Sequence, residues 1–339
     1  MARTPFHTGS LRHFMPEEEN LRGLIRVGLW IIWTWCLVVT LPSSVLYARD
    51  GEEKYNRKVS TDRNEALPKR GVLFEVNGPK GKAYLFGTVH VGRPEFYPLD
   101  RTTTQAMASS RFLAVEADVS DQRNAALQVL QHAMYRPPAS LDQAIDPLLL
   151  SRVEAVLKRV RLPKQQAFQM KPWMLGMMLT LLETQQAGYD SEYGADVHLL
   201  RKARELQKPV VELESLAAQF SLFNSLSTQE QQMFLQETVD GIESGKSRMQ
   251  VATLIEAWAS ADRARLGAVL QEESLRQSSM YRSLYEKLLT QRNAAMADKI
   301  GGYLESGDQY FVAIGTLHLL GEGSVVDLLA QRGFIVRTL

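Results

Sequence analysis

Two short stretches at opposite ends of the chain are nearly identical in pattern: Tyr84-Leu-Phe-Gly-Thr-Val-His90-Val-Gly92 and Val312-Ala-Ile-Gly-Thr-Leu-His318-Leu-Leu-Gly321. Each is an apolar run typical of a strand, and each ends in Gly-Thr-x-His. A glycine at a strand end lets the backbone turn sharply. Two such strands side by side would bring both imidazoles to the carboxyl ends of parallel strands, where open α/β sheets bind their ligands. The repeated motif therefore predicts a site that contains His90 and His318.

Beyond residue 50 the chain has only four histidines, His90, His132, His198 and His318. A lone buried histidine is usually structural, but a local pattern that occurs twice favours a functional role. His132 and His198 lie outside the motif, and we interpret both as structural.

A second pair of similar stretches ends in carboxylates: Phe112-Leu-Ala-Val-Glu116-Ala-Asp118 and Pro209-Val-Val-Glu212-Leu-Glu214. If the first strand continues, Glu116 and Asp118 lie on the same face, because side chains alternate along a strand. A carboxylate beside two imidazoles suits a borderline or hard divalent ion with a position left for water. Without a metal, a His–Glu pair could orient and deprotonate water directly. Glu116 is the carboxylate that we assign to the site.

The N-terminus carries the pattern of an export signal. Arg22 and Arg26 precede the apolar run Val27–Leu41, and the small-residue segment 42–48 follows. We predict cleavage after Ala48 and a periplasmic or secreted mature protein, with residues 49–70 as a flexible segment. The alternative is an uncleaved membrane anchor, because the apolar run with its flank approaches the roughly 20 residues that span a bilayer.

Composition narrows the classes of function. The chain has 39 basic and 38 acidic residues, so no strong positive field favours nucleic acid. Its single cysteine, Cys36, lies in the apolar run, which excludes disulfides and thiolate ligands in the mature chain. A metal site would have to use His, carboxylate, amide or water ligands.

The order of predicted elements indicates one α/β domain over residues 71–339. Strands are predicted near both ends and helices dominate the middle, so we expect a central mixed sheet built from two related halves with a large helical insertion. The predicted strands are 71–77, 82–86, 111–115, 209–213, 310–314 and 334–338. The predicted helices are 99–110, 121–135, 147–160, 173–186, 193–207, 228–241, 249–258, a long stretch over 262–303 bent near Ser278, and 324–331.

These motifs together resemble the TraB/GumN family, which includes the Tiki proteins. The resemblance covers residues 71–339 and rests on segments in the family's order: Gly87–His90, Phe96–Leu99, Ala114–Asp118, Lys171–Trp173, Gly194–Asp196, Val211–Glu214 with Gln219-Phe220, Arg292-Asn293, Gly315–His318 with Gly321, and Leu328–Gly333.

The resemblance implies an α/β core shared with erythromycin esterases and with haem-binding lipoproteins of the ChaN type. It also implies the metal-dependent peptidase activity of Tiki members as a precedent, with manganese or cobalt. Carried over by motif, His90, Glu116 and His318 are the candidate metal ligands and catalytic groups. The same resemblance implies that Arg292 and Asn293 support the ligands or orient the substrate.

Three functions follow as expectations. The first is a metal-dependent hydrolase of peptides or small molecules that uses Mn, Co or Zn. The second is a metal-free, esterase-like hydrolase in which His90 or His318 is the base and Glu116 orients it. The third is a non-catalytic binder of a ligand such as haem, with an imidazole as axial ligand. In each case we expect no nucleic-acid partner and membrane contact only through the N-terminal segment.

Overall fold

A computed structural model describes residues 67–274 and 279–339 of the chain. The predicted export signal and most of the segment 49–70 therefore lie outside the described residues. Arg70, at the end of that segment, donates hydrogen bonds to the carbonyl oxygens of Ala259 and Glu95. No helix within the described ranges is both long enough and apolar enough to cross a membrane.

The protein has a six-stranded mixed sheet in the order β4-β3-β5-β2-β1-β6. The strands are β1 (Leu73–Asn77), β2 (Lys82–Thr88), β3 (Phe112–Val115), β4 (Val210–Glu212), β5 (Gln309–Gly315) and β6 (Ile335–Thr338). Strands β4, β3, β5 and β2 pair in parallel with one another, whereas β1 is antiparallel to both β2 and β6. The predicted α/β class with a mixed sheet is confirmed.

Helices make up most of the remaining chain. They are α1 (Arg101–Ser109), α2 (Gln122–Gln128), α3 (Pro147–Val160), α4 (Lys164–Phe168), α5 (Pro172–Gln186), α6 (Ala195–Glu205), α7 (Leu216–Asn224), α8 (Thr228–Ser244), α9 (Lys246–Ala259), α10 (Arg263–Ser274), α11 (Ser279–Tyr285), α12 (Gln291–Glu305) and α13 (Val325–Gln331). Between β3 and β5 only the short strand β4 interrupts these helices, so the predicted large helical insertion is present.

The core forms around the central strands and the buried helix α5. Strands β2 and β5 are buried along nearly their whole length, as expected for parallel strands covered on both faces. Helix α5 is apolar all round, with Trp173, Met174 and Leu175 fully buried, so it lies inside the helical insertion rather than on its surface.

Three local predictions need correction. The predicted helix 121–135 is α-helical only to Gln128 and continues as a π-helical turn, Val129–Ala133. The stretch over 262–303 is divided into α10, α11, a π-helical turn (Glu286–Thr290) and α12, and the predicted bend at Ser278 lies outside the described residues. Helices α4 and α7 were not predicted. Helix α7 begins at a clear cap, since Ser215 Oγ accepts a hydrogen bond from the Ala218 N–H.

Candidate functional site

The two Gly-Thr-x-His motifs lie next to each other in the sheet. Strands β2 and β5 pair in parallel, with Thr88 opposite Gly315. His90 follows the end of β2, and His318 lies in a short 3₁₀ turn, Thr316–Leu319, directly after β5. Parallel pairing places both imidazoles at the carboxyl end of the central strands, as the sequence predicts.

His318 is buried and its ring orientation is fixed by a chain of hydrogen bonds. Asn293 Nδ2 donates to the Gly323 carbonyl oxygen at 2.9 Å, which directs Asn293 Oδ1 toward His318 Nδ1 at 2.6 Å. Because an amide oxygen only accepts, Nδ1 of His318 carries the proton and Nε2 carries the lone pair. Nε2 lies 3.8 Å from Oε1 of Glu116.

The protonation state of His318 is set mainly by burial. Burial lowers its pKa, the Glu116 carboxylate raises it, and Arg292 and His90 lower it again, to a final value of about 3. His318 is therefore neutral at physiological pH. A neutral imidazole with an oriented Nε2 lone pair is the form in which histidine binds metals or accepts a proton.

Glu116 follows β3 directly and is buried between two donors. The Gly315 N–H donates to Oε1 at 2.6 Å, and Arg292 Nη2 donates to Oε2 at 2.6 Å. Burial by itself raises the pKa of Glu116, but the charges of Arg292, His318 and His90 and the Gly315 hydrogen bond lower it to about 2. Glu116 is thus a permanently ionised carboxylate.

Asp118 does not share this environment. Strand β3 ends at Val115, so the alternation that would have placed Asp118 beside Glu116 does not continue. The Asp118 N–H instead donates to Glu212 Oε1 at 2.6 Å, and its own carboxylate accepts from the Ser120 N–H. Asp118 and Glu212 therefore hold the loop after β3 and are not part of the site.

Arg292 connects Glu116 to a second carboxylate, Glu214. Its Nε donates to both oxygens of Glu214 at 2.9 and 3.0 Å, and Nη2 reaches Glu214 Oε2 at 2.8 Å. Gln219 Nε2 donates to Glu214 Oε2 at 3.1 Å and lies 3.5 Å from Glu116 Oε2. A guanidinium that is 7% exposed and bridges two carboxylates fixes both of them in place.

His90 has its own carboxylate partner. Nδ1 of His90 lies 3.2 Å from Oδ2 of Asp196, near the start of helix α6. His90 is also near enough to influence the pKa of both Glu116 and His318. A carboxylate at Nδ1 favours the tautomer with the lone pair on Nε2, as it does for many metal-binding histidines.

Two glycines allow the segment before α6 to pack against the His90 loop. A Cβ on Gly92 would lie 2.2 Å from the Tyr193 carbonyl oxygen, and one on Gly194 would lie 2.6 Å from the His90 carbonyl oxygen. The Ala195 N–H also donates to the Val89 carbonyl oxygen at 2.7 Å. These close approaches explain the glycines and bring Asp196 to His90.

The donor set is chemically suited to a divalent ion. Two imidazoles and an ionised carboxylate are ligands for Mn, Co or Zn. Glu116, Glu214 and Asp196 with Arg292 leave two negative charges when the carboxylates are ionised and the imidazoles neutral. In the described parts of the chain, no group of three His, Cys, Asp or Glu side chains is arranged at ligand distances in this conformation. The residue types suit an ion, and His318 Nε2 and Glu116 Oε1 are 3.8 Å apart.

The sequence did not assign Asp196, Glu214 or Gln219 to the site. Each lies in a segment that carries the family resemblance, and that was the available signal. Asp196 at the first turn of α6 is buried, which an ordinary exposed helix start does not require.

The other two histidines lie apart from these groups. The His198 ring stacks on Tyr97 with centroids 3.9 Å apart, and burial lowers its pKa to about 3, with Arg201 and Lys202 contributing. His132 Nδ1 lies 3.2 Å from Asn224 Nδ2. Their structural interpretation agrees with these contacts.

The protein is thus an α/β protein with a buried imidazole–carboxylate–guanidinium cluster at the ends of its central strands. The chain belongs to the TraB/PrgY/gumN family, whose model matches residues 72–338.

Similar proteins occur in several bacteria. The uncharacterized protein YbaP of Escherichia coli (strain K12) is 28% identical over 250 residues, which cover 73% of this chain and 87% of YbaP. YbaP of Shigella flexneri is 28% identical over 251 residues with the same coverage. An uncharacterized protein of Treponema pallidum (strain Nichols) is 24% identical over 276 residues, covering 78% of this chain and 81% of that protein. No solved structure matches the chain significantly.

Proposed function

We propose that this protein is a metal-dependent hydrolase in which His90, Glu116 and His318 hold one divalent ion. The observation that carries the proposal is the 3.8 Å approach of His318 Nε2 to Glu116 Oε1. Both atoms are acceptors in their assigned protonation states, so a cation between them is attracted by both. When bound, such an ion lowers the pKa of a coordinated water toward neutrality and polarises a substrate carbonyl.

The pKa values of the two groups support a role as ligands rather than as bases. A general base works best when its pKa lies near the operating pH. Glu116, with a pKa of about 2, and His318, with a pKa of about 3, are both too weakly basic to deprotonate water at neutral pH. The same values keep both groups unprotonated, which is the state that metal ligation requires.

The surrounding residues each have a definable task. Arg292 fixes the Glu116 carboxylate through its 2.6 Å hydrogen bond and is itself held by Glu214. Asn293 keeps the proton of His318 on Nδ1, so that Nε2 stays available. Asp196 lies 3.2 Å from His90 Nδ1, where its carboxylate favours the same tautomer. The burial of Glu116, Arg292 and His318 excludes bulk water and strengthens these interactions.

The substrate is proposed to be a peptide or a small ester or amide. The resemblance to Tiki proteins favours a peptide. With the predicted export signal, the reaction would take place in the periplasm or outside the cell.

Metal analysis of the purified mature protein tests the proposal. We expect a stoichiometric divalent ion, or a saturable rise in melting temperature with Mn, Co or Zn, because a ligand that binds the native state stabilises it. Hydrolysis of peptide and ester libraries should stop after chelation and return with the ion. Hydrolysis that persists in a metal-free preparation would contradict the proposal.

A metal-free hydrolase is the second candidate, and the pairing of His90 with Asp196 favours it. An imidazole whose Nδ1 contacts a carboxylate at 3.2 Å has the arrangement of a general base and its orienting group. The sequence expected Glu116 in the orienting role, but the structure places Asp196 against His90 and Arg292 against Glu116.

Asp196→Asn separates the two candidates. In the metal-free case, Asp196→Asn should lower kcat strongly and change the pH dependence of kcat. Added metal should affect neither the wild type nor the variant. In the metal-dependent case it should lower metal affinity by about tenfold to a hundredfold, and added metal should restore part of the activity. Haem binding stays a prediction, which an absorption spectrum after haem addition would test.

A further inference from the structure

A cavity of about 250 Å³ lies where helices α5 and α8 begin. Its walls are formed by Tyr135, Lys171, Pro172, Asn224, Thr228 and Gln231. This lining contains a cation and several polar groups but neither Asp nor Glu. We propose that the cavity binds a small carboxylate ligand through the ammonium group of Lys171.

The Lys171 ammonium is held in position by side-chain hydrogen bonds. Lys171 Nζ donates to Asn224 Oδ1 at 2.7 Å. The Asn224 oxygen therefore faces Lys171, and its Nδ2 donates to His132 Nδ1 at 3.2 Å. The hydrogen bond to Asn224 uses one of the three N–H donors of the Lys171 ammonium, which lies at the cavity wall.

Within residues 67–274 and 279–339, Lys171 Nζ donates one hydrogen bond to a neutral amide and forms no salt bridge to a carboxylate. Lys171 is partly buried, and this burial lowers its pKa. A cation withdrawn from water without a counter-charge costs free energy, so an anion in the cavity would offset that cost.

The backbone adds to the positive potential. Lys171 is the N-cap of the 15-residue helix α5 and provides no side-chain cap, and Pro172 is that helix's first residue. Thr228 is the first residue of the 17-residue helix α8, but the amino end of that helix is capped by Ser227 and the Glu230 carboxylate. The amino end of α5, which has no side-chain cap, contributes positive partial charge at the cavity.

The size and charge of the cavity define the ligand class. Its volume lies below the roughly 300–1,000 Å³ of pockets for drug-sized molecules, so a small molecule or a terminal group fits. One ammonium balances one negative charge, which a carboxylate supplies. The hydroxyl groups of Tyr135 and Thr228 are available as further donors along the wall. This inference is independent of the proposed hydrolase function, because Glu116, His90 and His318 are not among the residues that line the cavity.

Titration of the folded protein with simple anions tests the inference. The melting temperature is measured at constant ionic strength as sodium chloride is replaced by sodium acetate, sodium succinate or sodium phosphate. We expect a saturable rise for the wild type and a dissociation constant at least about tenfold weaker in Lys171→Gln, because a charged hydrogen bond is lost. Lys164→Gln is the matched control, since Lys164 Nζ is exposed and paired with Glu154 at 2.6 Å. That variant should bind as the wild type does.

Three results would overturn the inference. The first is no saturable response to either carboxylate, and the second is an unchanged response in Lys171→Gln. The third is a response confined to sodium phosphate, which would assign the cavity to phosphate instead. If Lys171→Gln does not fold, Thr228→Val replaces it, because it removes a wall hydroxyl without changing the charge and should also weaken acetate binding.

Discussion

The amide oxygen of Asn293 lies 2.6 Å from Nδ1 of His318, and this contact determines which nitrogen of the imidazole can act on a ligand. Asn293 is itself oriented by the Gly323 carbonyl oxygen, which comes from the loop after His318. The tautomer is therefore set by the fold and not by solvent.

Asn293→Ala should lower hydrolytic turnover by about tenfold to a hundredfold, the usual effect of removing a group that orients a ligand. Stability should fall by about 1–3 kcal/mol, because the His318 Nδ1–H and the Gly323 carbonyl each lose a buried partner. Steady-state kinetics and urea unfolding measure the two effects. Asn293→Asp keeps an acceptor at Nδ1 and should retain more activity than Ala; equal activity of the two variants would contradict the orienting role.

Glu116→Gln should abolish activity and lower the free energy of unfolding by on the order of 3 kcal/mol, because it breaks a buried ion pair with Arg292. Glu183→Gln is the matched control. Glu183 is 2% exposed and contacts Arg159 and Arg248 at 3.3 and 3.2 Å, so it is also a buried carboxylate paired with arginine. Its substitution should cost stability and leave activity intact. Loss of activity in both variants would mean that folding, rather than the site, explains the effect.

The free energy of unfolding should decrease as the pH falls, over the range in which His318 and Glu116 take up protons. The unfolded chain protonates His318 from about pH 6.5, but the folded protein does so only near pH 3. The pKa of Glu116 is likewise 4.5 in the unfolded chain and about 2 in the folded protein. For both groups the unfolded state binds more protons, so their stabilisation is complete above these reference values and is lost toward pH 2.

Urea unfolding at pH 7, 5 and 3 measures this loss, of which Glu116 should contribute about 2 kcal/mol by pH 3. In Glu116→Gln the portion below pH 4.5 should be reduced. A wild type with equal stability at pH 7 and pH 3 would show that neither group is perturbed in the way described.

Gly194→Ala should disturb the site without altering any ionisable group. The added Cβ would lie 2.6 Å from the His90 carbonyl oxygen, so the loop that carries His90 must shift. We expect lower activity and a loss of about 1–3 kcal/mol, the range for overpacking. Gly302→Ala is the control, because nothing lies within 4 Å of its added Cβ in helix α12. It should raise stability by about 0.5–1 kcal/mol and keep full activity.

The sequence predicted the central sheet, and the position of His90 and His318 after two of its strands, because both depend on local patterns. The residues of an apolar strand that ends in Gly-Thr-x-His are contiguous in the sequence. Because the motif occurs twice, it indicates two strands with the same local structure. Glu116 was identified for the same reason, since it ends a short apolar strand. The proposal that the whole sheet arose from two related halves stays a prediction.

Side-chain partners were harder to predict because they depend on contacts between distant segments. Arg292 and Glu214 are 78 positions apart, and nothing in helix α12 marks Arg292 as the bridge between two carboxylates. Asp196 has the spacing of an ordinary helix start, and only the packing of Gly194 against His90 reveals its other partner. Helix α7 was missed because its composition is mixed, and its Ser215 cap is a weak signal on its own.

The strand order also has a consequence for synthesis of the chain. Strand β5 lies between β2 and β3, although it follows them by about two hundred residues. A nascent chain that lacks residues 309–315 cannot join its two earlier parallel strands, because they share no hydrogen bonds with each other. Glu116 thus meets Gly315 and His318 only once strand β5 has joined the sheet. Such long-range closure is slow compared with local folding, so the cluster around Glu116 forms late in folding.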